Sequence, residues 1–233
     1  MKSSILILVA ISSLVLLCLL PSFLKWRKQQ KELKAKLLSR LSNRSERLLY
    51  SLEMISDRYL ARDSKVFIIE YLISVIAQLV RANHQSNFVS KQTDLVRMLT
   101  ELKLGQQVAV KDRVATQEQL DQTHNALQYL LQGIRNMPES YGAGRVIIRH
   151  HIVLIRYAHA LAHRDLLVRQ ARQDLDNDKK NRALEKYRLA LSVMEKNESV
   201  SSSKREVVRL QNMIQDVENV LFSKKSKAEL KLK

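Results

Sequence analysis

Residues 3–24 read SSILILVAISSLVLLCLLPSFL, 22 residues in succession without a charged side chain. No other stretch restricts the fold so strongly. In hydrocarbon, every backbone N–H and C=O of a lone segment must be satisfied within the segment, and an α-helix is the only way to do so. At about 1.5 Å per residue, a helix of this length matches the ~30 Å apolar thickness of a bilayer. The run is therefore expected to be a transmembrane anchor. A cleaved signal peptide fits less well, because its apolar stretch would be roughly 7–15 residues and would end at a small-x-small site. Here the best such pair, Ala10 and Ser12, falls inside the run, and only Lys2 supplies a basic start. Leu17 precedes Cys18, where a lipoprotein signal would carry a small residue.

The flanks give the run a direction. Between residues 25 and 50 lie nine Lys or Arg against only Glu32 and Glu46. The positive-inside rule then expects a single-pass membrane protein with its N-terminus out and its C-terminal domain cytoplasmic. Lys25, Trp26, Arg27 and Lys28 close the run and are the expected membrane-interface residues, with the indole at headgroup depth. Cys18 is the only cysteine and lies inside the run, so the remainder has no disulfide, no cysteine zinc site and no thiol nucleophile.

Gly 4 and Pro 2 in 233 residues leave few tight turns to build, which argues against hairpin-joined sheets. The expected fold class is all-α: a single transmembrane helix followed by a bundle or short solenoid of antiparallel helices. The domains read as an anchor (1–24), a basic juxtamembrane helix or stalk (25–62), a helical domain (63–223, with a subdivision near 105–116) and a basic tail (224–233).

Seven helices are expected after the anchor. The first, 28–61, carries Leu33, Leu37, Leu41, Leu48, Leu52, Ile55 and Tyr59 at spacings of three, four and seven. It is also the surface through which a homodimer would form. The second, 65–83, follows an Asp63-Ser64 cap and is apolar almost all round. The segment between Lys65 and Arg81 is too short for a second span and contains Glu70, so it is expected to be a buried helix. The third covers 87–104 and ends at Gly105. The fourth, 117–135, opens on the capping box Thr116-x-x-Gln119 and stops at Asn136-Met137-Pro138. Tyr141-Gly-Ala-Gly144 turns into the fifth, 145–175, again apolar on most sides. The sixth spans 179–196, and Ser203-x-x-Glu206 is expected to cap a seventh ending near 222. The second and fifth should form the centre.

In the sixth helix, Ala183, Tyr187 and Ala190 stand at i, i+4 and i+7, and Leu167 and Ala171 take matching places in the helix before it. This pattern resembles the helical hairpin of a tetratricopeptide repeat over residues 164–197. Gln170, Asp174 and Glu195 depart from it, and no second copy occurs at that period. The resemblance implies binding of a peptide or protein partner.

Motifs for catalysis are missing: the sequence contains no P-loop, dinucleotide fingerprint, H-E-x-x-H or G-x-S-x-G. His159 and His163 lie one turn apart and could share a metal ion, but two ligands do not close a site, and Arg156 and Arg164 would repel a cation. No metal or cofactor is expected. Arg145, Arg149, Arg156 and His163 fall within about 40° of one line along the fifth helix, as expected either for a solvated edge or for contact with an acidic partner or other anion.

The formal charge of +17 admits anionic lipid, nucleic acid or an acidic protein as partner. Aromatics at 5% do not interleave with the basic clusters, so nucleic acid is the weakest of the three. The expected function is a membrane-anchored cytoplasmic scaffold or adaptor that binds a protein partner. The alternative is a membrane-tethered binder of anionic lipid or nucleic acid, and an enzyme is not expected.

Overall fold

The protein is described by a computed structural model that covers residues 2–106, 112–138, 141, 144–197 and 200–230, with side chains for 23–106, 112–138, 141, 144–197 and 200–221. Among these residues the secondary structure is helical throughout: α1 Lys2–Met54, α2 Arg62–Arg81, α3 Asn87–Ser90, α4 Gln92–Leu104, α5 Gln117–Arg135, α6 Arg145–Asp176, α7 Lys180–Glu195 and α8 Ser201–Leu230. No helix among the described residues is long and apolar enough to cross a membrane. Of the expected anchor, residues 2–24 belong to α1, with side chains described only for Phe23 and Leu24; of the basic tail, residues 224–230 belong to α8 and 231–233 lie outside the described residues.

The chain divides into two compact units. One comprises Met1–Glu46 with Val75–Gln92, the other Arg47–Ser74 with Thr93–Lys233. In the first, Val75, Ile76, Leu79 and Phe88 are buried. Small residues serve where α1 is covered: Ser42 and Ser45 are each 2% exposed, and the Ser42 hydroxyl donates to Ser86 Oγ at 2.9 Å. Towards the N-terminus α1 is bare, with Trp26, Leu33 and Leu37 all more than half exposed.

The second unit holds most of the core. Ile68, Ile69 and Leu72 of α2 are fully buried, alongside Leu127, Leu130 and Ile134 of α5 and Ile155, Ala158 and Ala162 of α6. From α5 onward, successive helices pack on one another: α5 on α6, α6 on α7, α7 on α8. Ala171, Ala183, Tyr187 and Ala190 are buried, and Lys186 of α7 pairs with Asp174 of α6 at 2.5 Å. Gly133 marks a close approach, since a methyl group there would overlap Leu48 Cδ1.

Local signals explain most boundaries. Thr116 Oγ1 accepts from Gln119 N at 3.2 Å, and Gln119 Oε1 accepts from Ala115 N at 2.8 Å, so α5 begins where its capping box places it. α2, α4 and α6 each end on a left-handed residue, Asn83, Gly105 and Asp178, whose amide bonds back to the third residue before it. This is the Schellman arrangement, which satisfies carbonyls that would otherwise be orphaned.

Four expectations need correction. The first helix does not reach residue 61 but stops at Met54, because Ser56 O accepts from Tyr59 N and Leu60 N in a turn that buries Ile55, Tyr59 and Leu60. Asp63-Ser64 lies inside α2 and does not cap it. The third helix breaks at Lys91 into α3 and α4. The Ser203/Glu206 pair forms no capping box: Ser203 Oγ donates instead to Met194 O at 2.8 Å, while Glu206 pairs with Arg164 and Arg209. In both serine cases a tertiary partner takes the group that a cap would have used.

Candidate functional site: an arginine-lined groove

α6 falls into two halves of opposite character. From Ile155 onward most of its side chains are buried, but its first three turns are open, with Val146 82% and Ile147 48% exposed. This open half is fixed on one side by α2 and Tyr141. His151 stacks on Phe67 at 4.3 Å, its Nδ1 lies 3.0 Å from the buried Ser64 Oγ, and Tyr141 meets Tyr71 edge-on at 5.2 Å. Burial pushes the His151 imidazole below its usual range, with neighbouring His150 acting in the same direction and Asp63 against it.

The other side of α6 meets α5, which runs antiparallel to it. His124, early in α5, lies beside His159 and His163, and Arg135, the last residue of α5, reaches the start of α6. There Arg135, Arg145, Arg149 and Arg156 surround a cavity of about 470 Å³, floored by Met137, Ile148 and Ile152. All four guanidinium-bearing residues are exposed, whereas Met137 is 7% exposed. No acidic residue lines the cavity among the described residues. A guanidinium presents paired N–H donors in a plane that matches a carboxylate or phosphate, so several converging on one cavity favour an anion.

Of the four residues expected on this row, Arg145, Arg149 and Arg156 come together and His163 does not. The row is straight, but at about 1.5 Å per residue His163 lies some 27 Å beyond Arg145, where α5 presents His124 and not Arg135. Arg135 was missed. Periodicity places it on an exposed face of α5, yet only the register of α5 against α6 brings it to the groove. Lys25, Trp26, Arg27 and Lys28 are exposed on α1, with the Phe23 and Trp26 rings 5.9 Å apart.

His124, His159 and His163 lie together. His124 Nε2 donates to the His159 carbonyl at 3.2 Å, and burial, with His124 adding to it, pushes the His159 imidazole down to about 4. Among the described residues, no group of three or more His, Cys, Asp or Glu is arranged to hold a metal ion.

Deeper in α6 a second charged constellation has a different character. Asp165, 4% exposed, receives both guanidinium arms of Arg58, the Tyr59 hydroxyl at 3.1 Å and Arg164 Nη1 at 2.7 Å. Arg164 continues to Glu206 of α8 at 2.5 Å, and Tyr59 Oη accepts from Val114 N at 2.7 Å. Burial alone would raise the Asp165 carboxyl, but the hydrogen bonds from Arg58 and Arg164 outweigh it and hold the group below its ordinary range. Burial, aided by the nearby Asp165 carboxylate and opposed by the Val114 amide, raises Tyr59 to about 12, so it stays a donor. These charges are spent on one another and hold the Ser56–Leu60 turn, α6 and α8 together. A second cavity of about 480 Å³, between Tyr59, Met98 and Val114, carries charges of both signs, with Asp57 and Lys65 paired to each other.

No family model matches the chain, and neither curated proteins nor solved structures offer a match.

Proposed function

We propose that this chain is a single-pass membrane protein whose cytoplasmic helical body is an adaptor, holding a protein partner at the membrane through the arginine-lined groove. The groove is the observation that carries the reading: four arginines from two helices converge over an apolar floor. The uncharged run at 3–24 and the exposed Lys25, Trp26, Arg27 and Lys28 support the anchor and its orientation. The α6–α7 hairpin, with Ala171, Ala183, Tyr187 and Ala190 buried, supports a repeat-like binding scaffold. A binding role is favoured over catalysis because the groups that might bear chemistry are engaged with one another, as in the buried Ser64–His151 pair and the Asp165 network.

A second reading rests on a different observation. Lys25, Arg27, Lys28, Lys31, Lys34 and Lys36 are all exposed on α1 beside the anchor, as contact with anionic lipid would require. On this reading the basic helix binds headgroups; nucleic acid has no comparable support. The exposed Leu33 and Leu37 also provide the surface for pairing of two α1 helices.

Two measurements test the first reading. Full-length chain should resist alkaline extraction from membranes, and a variant lacking 3–24 should be released. Release of the intact chain would refute the anchor. Cross-linking of the full chain in membranes, followed by mass spectrometry, should recover a protein partner; recovery of lipid alone would favour the second reading.

A further inference from the structure

We infer that the groove between the end of α5 and the first turns of α6 takes an extended acidic peptide of about five residues, carrying both carboxylates and apolar side chains. The inference deepens the adaptor reading and rests on it only for the peptide's source, a segment of the partner.

Three features select this occupant over a compact anion. The first is length. Arg145 to Arg156 spans about 16 Å along the helix axis, and Arg149 to Arg156 alone about 10 Å. A strand rises about 3.3 Å per residue, so roughly five residues cover the longer distance, whereas one phosphate meets a single end of it. The second is the floor. Met137, Ile148 and Ile152 give apolar side chains a place to bury, for which an inorganic anion or a bare headgroup phosphate has no use. The third is charge. Arg135 of α5 lines the same cavity as Arg149 and Arg156 of α6, and the described lining carries no carboxylate, so an acidic chain would meet guanidinium groups from both helices.

The test uses the full chain in detergent and a fluorescent ten-residue peptide mixing aspartate with leucine. Binding is read by anisotropy and repeated with tripolyphosphate and with vesicles containing anionic lipid. The peptide should bind, weaken as salt is raised, and weaken at least roughly tenfold in the double variant Arg149→Glu/Arg156→Glu. Arg182→Glu, an exposed site on α7, should leave binding unchanged. Circular dichroism of each variant establishes that it folds. Peptide binding that ignores the double substitution overturns the inference. So does binding of tripolyphosphate or vesicles, lost in the double variant, without binding of the peptide. Arginine-dependent peptide binding supports it even where membrane cross-linking recovers no partner, a result that would count against the adaptor reading alone. If a partner is recovered equally by wild type and double variant, the groove inference falls and the adaptor reading stands.

Discussion

Arg149 and Arg164 lie about four turns apart on the same helix, one in the open groove and the other 3% exposed within an ion network. Arg164 has Asp165 and Glu206 within 2.7 Å, and Asp165 is shared with Arg58 and Tyr59. Arg149 shares its cavity with three further arginines and no described acid. A buried guanidinium without counter-charge would cost several kcal/mol, so the buried Arg164 is held only as part of a closed set. At the exposed end water screens the repulsion, and a like-charged group persists at little cost. The same residue type is thus structural in one half of α6 and open to a ligand in the other.

The largest effect expected from breaking this contrast comes at Asp165. Replacing it with Ala leaves the buried Arg164 and the partly buried Arg58 facing each other without their shared counter-charge. Loss of one partner from a buried ion set typically costs about 3–5 kcal/mol. Urea denaturation of the full chain, followed by circular dichroism, should show that loss as a lower midpoint. A variant that stays within about 0.5 kcal/mol of wild type would mean that the network is solvated and the contrast false. Removing the charges together, with Arg58→Met and Asp165→Leu, should recover part of the loss, because a well-packed apolar pair often replaces a buried ion pair.

Next in size is the response to acid. His159 titrates near 4 in the folded protein, against an ordinary 6.5, because burial and then His124 oppose its charge. A depressed histidine means that the unfolded chain takes up a proton first. Stability should therefore be level above pH 6.5 and fall as pH drops from there towards 4. The full gap corresponds to on the order of 3 kcal/mol, and solvent screening reduces it because His159 is only partly buried. His163, lowered by burial and by the same His124, adds to the slope in the same direction. His159→Gln should flatten the profile of unfolding midpoint against pH; an unchanged slope would place the titration elsewhere.

What could be read from sequence follows the same division between local and tertiary causes. The start of α5 was legible because Thr116 and Gln119 satisfy backbone groups within one turn, and the arginine row was legible because 100° per residue is a property of α6 alone. The end of α1 was not. Leu52, Ile55 and Tyr59 keep helical spacing, yet the chain turns at Ser56 so that Arg58 and Tyr59 can reach Asp165, 107 and 106 residues away. Ser203 and Glu206 have the residue types of a cap, but Met194 O and Arg164 compete for them successfully. Arg135 entered the groove through helix register, which no periodicity encodes. A charged pair such as Arg164-Asp165 amid apolar residues was the available sign of a buried network, though its partners were not.

A smaller effect is expected at Gly133. Alanine would bring its methyl group onto the Leu48 side chain, which is 2% exposed and has little room to move. Overpacking of this kind costs about 1–3 kcal/mol, offset by about 1 kcal/mol of helix propensity, so a net loss of roughly 1 kcal/mol is expected. Thermal unfolding of Gly133→Ala, compared with Gly133→Ala/Leu48→Ala, checks the cause. If the clash is responsible, the second substitution should cost less in the Gly133→Ala background than alone.

The smallest expected effect bears most directly on the comparison. Arg149→Glu/Arg156→Glu should change the unfolding free energy by less than about 0.5 kcal/mol, the usual range for surface substitutions away from packed features. It should even be mildly stabilising, because reversing two charges relieves repulsion among Arg135, Arg149 and Arg156, and that gain should fade as salt is raised. Denaturant titrations at low and high ionic strength measure both statements. A clear loss of stability would make these arginines part of the scaffold, as Arg164 is. Retained stability together with lost peptide binding would separate the two halves of α6 by function: one holds the fold, and the other is free to hold something else.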